Sequence, residues 1–82
     1  MEKNEILAKL QDIYRDILDN DEIILEGETT ADDIEEWDSL AHVQIVNEVE
    51  KQFGIKFTSY EITSWIDIAD LVDCIDSKLS KW

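Results

Sequence analysis

Three residues near the middle of the chain could do chemistry together: Asp38, Ser39 and His42. On a helix, Ser39 and His42 are neighbours at i, i+3, and a carboxylate stands next to the hydroxyl. Nucleophilic catalysis by such a set also needs donors for a developing oxyanion and a pocket for substrate. A short helical chain offers little room for either, so the trio is not read as a hydrolase, and His42 is read as a solvated surface residue. Ser39 has a simpler role available as a helix cap. It also has a richer one. A helix start presents unpaired N–H groups and the positive end of the helix dipole, so a phosphate esterified to Ser39 would be well placed. Asp38 would oppose that charge, and the helix and solvent must offset it.

Other candidate sites fail on spacing. Asp19-x-Asp21 opens like a calcium-binding loop, but Ile23 takes the third ligand position and Ile24 the place of the turn glycine. The single histidine has no second histidine or cysteine nearby in sequence, so no metal-ligand pattern forms. Cys74 is alone and cannot make an intrachain disulfide, and nothing points to an oxidising compartment.

The elements that must hold Ser39 follow from periodicity. Ile6, Leu7, Leu10, Ile13, Tyr14, Ile17 and Leu18 form one helical stripe, with Asn4 as its expected N-cap. From Asn20 to Asp38 the period is lost, and this segment is expected to be a long ordered loop whose apolar residues dock onto the helices. Long loops in compact domains tend to be functional. Helical spacing returns at Asp38-Ser39, where Val43, Val46, Val49 and Phe53 are expected to share the core face and Gly54 to stop the helix. Leu40 falls off that stripe, beside Gln44, Asn47 and Lys51, so it either docks a partner or tucks under the preceding loop. Thr58-x-x-Glu61 is a capping box that opens a short helix. The last helix buries Ile68, Leu71, Val72, Ile75 and Leu79, with Ser64 or Asp67 as its cap. The expected fold is all-α: a small four-helix bundle of three longer helices and one short one, with a long first loop. With no repeat or linker, residues 1–82 are expected to form a single domain.

Charge narrows the partners. Twenty-one acids face seven bases, for a net charge of −14. No lysine or arginine occurs from Asp16 through Glu50, a stretch holding thirteen of the acids. Such a surface repels nucleic acid and anionic membranes and attracts proteins with basic patches. No apolar run is long enough for a membrane span and no secretory signal is evident, so a cytoplasmic monomer is expected.

Asp38-Ser39-Leu40, followed by Val43, Val46, Val49 and the Glu50-x-x-Phe53-Gly54 end, resembles the acyl carrier protein family. The resemblance extends over essentially the whole chain. It implies a carrier rather than an enzyme, with 4′-phosphopantetheine attached to Ser39 by a phosphopantetheinyl transferase. The thiol of that arm, not Cys74, would hold acyl groups as thioesters for acyl-loading and acyl-transferring enzymes with basic docking patches. By position, Asp38, Leu40, Val43, Gln44, Asn47 and Glu50 match the family's partner-facing residues. The resemblance also implies that Phe53, Phe57, Ile62, Trp65 and Ile75 would line an interior in which a short acyl chain could shelter. Trp37, Ala41, His42 and Gln44 depart from the wording of fatty-acid-synthesis members and are similar to discrete carriers of specialised pathways, such as polyketide, aminoacyl or surface-polysaccharide biosynthesis. Two alternatives stay open: an aminoacyl or peptidyl carrier of the same fold, and an acidic helical adaptor with no prosthetic group.

Overall fold

Periodicity accounts for the longest elements, and the caps decide where they begin. A computed structural model describes residues 2–79, and all regular structure in that range is helical. Helix α1 runs Lys3–Ile17, α2 Ser39–Phe53, α3 Ser59–Ser64 and α4 Ile68–Leu79, with one 3₁₀ turn at Ala31–Asp33. This is the expected bundle of three longer helices and one short helix.

Helix α1 starts earlier than expected: Glu2 is its N-cap rather than Asn4, and the Glu2 N–H donates to Glu5 Oε1 at 3.4 Å. Thr58 caps α3 reciprocally, its hydroxyl accepting from the Glu61 N–H at 3.1 Å while its own N–H donates to Glu61 at 2.8 Å. Of the two caps considered for α4, Asp67 is the one used, accepting the Asp70 N–H at 3.1 Å. Gly54 ends α2 in the left-handed region at φ 68°, which a residue without Cβ adopts at no steric cost.

The core is the meeting of three helical stripes, Ile6, Leu10, Ile13 and Tyr14 of α1, Ile45 and Val49 of α2, and Ile68, Leu71, Val72 and Ile75 of α4. Its composition corrects the stripe expected for α2. Val43 is 56% exposed, whereas Ala41 and Ile45 are buried. At 100° per residue Val43 stands about 120° around the helix from fully buried Val49, while Ile45 stands about 40° away. A stripe that includes Val43 is tilted toward solvent.

The long loop is ordered, as expected, because its polar backbone groups find partners and its apolar residues find the core. Ile23, Leu25 and Ile34 are buried. Arg15 Nε donates to the Ile23 carbonyl at 2.7 Å, and Gln11 accepts the Leu25 N–H at 3.0 Å. Further along, the Gly27 and Thr29 carbonyls accept the Ala69 and Ile68 N–H groups at 2.8 and 2.9 Å. Those two bonds occupy donors at the start of α4 that the helix cannot satisfy itself. They also bring the end of the loop, and Trp37 with it, alongside α2 and α4.

Candidate functional site

Ser39 is the first residue of α2 and is exposed. Asp38 precedes it as N-cap, and its carboxylate accepts the Ala41 N–H at 2.8 Å. The next amide, His42 N–H, donates to the Asp38 carbonyl at 2.9 Å. That leaves the N–H groups of Ser39 and Leu40, and the Ser39 hydroxyl, without acceptors or donors among the described residues. Two free amides, a free hydroxyl and the positive end of a 15-residue helix suit a phosphate ester.

Beside Ser39 lies an open cleft of about 480 Å³, walled by Trp37, His42, Trp65, Ile66 and Leu71. An aromatic chain runs behind it. Tyr14 meets the Trp37 ring edge to face at 4.9 Å, Trp37 lies 5.8 Å from His42, His42 6.0 Å from Trp65, and Trp65 4.8 Å from Phe57. Trp37 Nε1 donates to His42 Nδ1 at 3.1 Å. His42 is therefore a partly buried wall of the cleft and not the solvated surface residue expected of it. Tyr14 is fully buried, and its hydroxyl lacks a partner among the described residues; burial pushes its pKa far up.

The residues expected to face partners separate into two groups. Leu40 is 69% exposed, so it does not tuck under the loop, and Val43, Gln44 and Asn47 share its exposure. Glu50 is half-buried and accepts the Phe57 N–H at 2.8 Å, which ties the end of α2 to the strap leading into α3. The interior named for cargo is also divided. Trp65 walls the cleft, while Ile75 is fully buried in the core and Phe53, Phe57 and Ile62 are half-buried away from the cleft wall.

On the far side of the Phe57–Trp65 pair, Glu61 accepts from Thr58, pairs with Lys78 at 2.9 Å and receives the Cys74 thiol at 3.6 Å. The Thr58 N–H first, and Lys78 after it, hold the Glu61 carboxyl down at about 2. Burial raises the Cys74 pKa, so this thiol is a poor nucleophile. Among the described residues no three histidine, cysteine or acidic side chains gather to hold a metal ion, and no helix is long and apolar enough to cross a membrane.

The aromatic chain was the part of the site that sequence reasoning missed. Its one sequence signal was the pair of unusual residues, Trp37 and His42, flanking Asp38-Ser39.

Comparison with known proteins points to one family. The family described as the phosphopantetheine attachment site matches residues 8–75. The solution NMR structure of a holo acyl carrier protein from Geobacter metallireducens is 39% identical to this chain, with a TM-score of 0.86. That match covers 92% of this chain and 86% of the other. A helical bundle of this class with a phosphopantetheine-attachment signature is a carrier domain. The chain belongs to the acyl carrier protein family. It is a carrier and not an enzyme, its prosthetic group is a covalently attached 4′-phosphopantetheine, and its partners include a phosphopantetheinyl transferase and acyl-handling enzymes.

Proposed function

We propose that Ser39 is the attachment point and that residues 1–82 act as one carrier domain, in the cytoplasm, for a specialised biosynthetic pathway. The observation that carries the reading is the exposed, unpartnered Ser39 hydroxyl at the mouth of α2, beside the free N–H groups of Ser39 and Leu40. When bound, phosphopantetheine supplies a flexible arm whose terminal thiol holds an acyl group as a thioester.

The chain's own part is presentation. Asp38 fixes the start of α2 by capping Ala41, which keeps the attachment oxygen at the surface. Leu40 and Val43 offer an apolar contact, and Asp38, Gln44 and Asn47 frame it for a partner with a basic docking patch. No lysine or arginine lies between Asp16 and Glu50 to compete with that patch. The specialised role is supported by Trp37, Ala41, His42 and Gln44, where fatty-acid-synthesis members place other residues.

Incubation with coenzyme A and a broad-specificity transferase tests the assignment. The intact mass should rise by one phosphopantetheine, and Ser39→Ala should remain unmodified while keeping its helical fold. Modification of Ser39→Ala, or a wild-type chain that never gains the mass, would overturn it.

A further inference from the structure

Trp37 and His42 both depart from the common wording of the family, and they are bonded to each other beside Ser39. An indole N–H can only donate, so the His42 Nδ1 that receives it must be the bare nitrogen. The proton of the neutral ring then sits on Nε2. Trp37 thus selects the tautomer, and buried Tyr14 backs Trp37 in turn. The ring is held between two indoles, yet Nε2–H has no hydrogen-bond acceptor among the described residues.

The result is a fixed donor with nothing to donate to. It belongs to a residue that walls the cleft with Ser39, one helical turn along the same face. Among the described residues no lysine or arginine lines the cleft. Its two acids already accept backbone N–H groups, Asp38 from Ala41 and Asp67 from Asp70. An anion at Ser39 must therefore be held by neutral donors, and the cleft wall supplies one beyond the helix amides.

We infer that His42, locked as the Nε2–H tautomer by Trp37, is a positioning residue that donates to a phosphodiester oxygen of the arm on Ser39. The inference rests on the Ser39 reading given above. It adds a third neutral donor to the N–H groups of Ser39 and Leu40. The apolar walls of Trp65, Ile66 and Leu71 suit the branched hydrocarbon segment that follows the phosphate.

Nitrogen and phosphorus NMR on the apo and loaded protein, with loading scored independently by intact mass, tests this. Wild-type apo protein should show one His42 tautomer, protonated at Nε2. On loading, the Nε2 resonance should shift and its proton should gain protection from solvent exchange. In His42→Asn, which keeps an acceptor for Trp37 but lacks the distal donor, the phosphorus resonance should move toward its value in the urea-unfolded loaded protein. His42→Gln, whose amide reaches further, should restore it, and Trp37→Phe should yield mixed tautomers. A loaded, folded protein overturns the inference alone if its His42 signals match the apo form and its phosphorus resonance is the same in wild type and His42→Asn. A chain that gains no mass removes the Ser39 reading, and this inference with it.

Discussion

Among the described residues, helices α2 and α3 both begin with a side-chain cap and two free amides, but only at α3 is the cap answered and its charge neutralised. At α3, Thr58 and Glu61 satisfy each other's backbone N–H groups, and Lys78 neutralises the carboxylate that does so. At α2, Asp38 caps Ala41, but Ala41 occupies the position from which a glutamate would reach back. Among the described residues no base pairs with Asp38, and Leu40 and Val43 stand exposed beside its free amides. The α3 start is tied to α4 through the Glu61–Lys78 pair. The α2 start has no such tie among the described residues, and its hydroxyl stands beside the cleft with Leu40 and Val43 exposed next to it.

Substitutions can break or sharpen that contrast. Ile75→Ala should have the largest effect, about 3 kcal/mol, because a fully buried side chain would leave a cavity in the shared core. Chemical denaturation should show α2 and α3 lost together; separate transitions would mean that they do not share one cooperative core. Removing the caps comes next. Asp38→Ala and Thr58→Ala should each cost about 1 kcal/mol, yet only Asp38→Ala should slow loading by a transferase. Equal loading rates for the two variants would erase the proposed distinction.

The Glu61 box should then give an acid-dependent term. The carboxyl is held at about 2 against an ordinary 4.5, so its contribution is complete above 4.5 and is lost as pH falls from there through about 2. The stability gap between wild type and Glu61→Gln should close over that window, and a constant gap would refute the assignment. Leu40→Ala should be the mildest for the fold, within about 0.5 kcal/mol, because the side chain is 69% exposed. Its binding to a loading enzyme should weaken all the same. A large loss of stability would mean that Leu40 packs against the chain.

Much of this was legible in the sequence because it is local. Helical spacing, the Thr58-x-x-Glu61 box and the Gly54 stop each depend on residues within a turn or two of one another. Asp38-Ser39-Leu40 at a helix start could be read the same way. The start of α1 was misplaced because Asn4 and Glu2 are both plausible caps, and only Glu2 has Glu5 three residues on to answer it.

Tertiary structure decided the rest, since a helical period fixes angles between residues but not which direction faces the core. Where α1 meets α2 settled that Ala41 and Ile45 are buried and Val43 is not. The Trp37–His42 bond spans the end of an aperiodic loop and the first turn of a helix, so no repeat foretells it. It depends on where the loop returns, and the Gly27–Ala69 and Thr29–Ile68 backbone bonds to α4 help to set that return. The hydroxyl and its helix were written in the local sequence; the aromatic wall beside them exists only because distant segments close on one another.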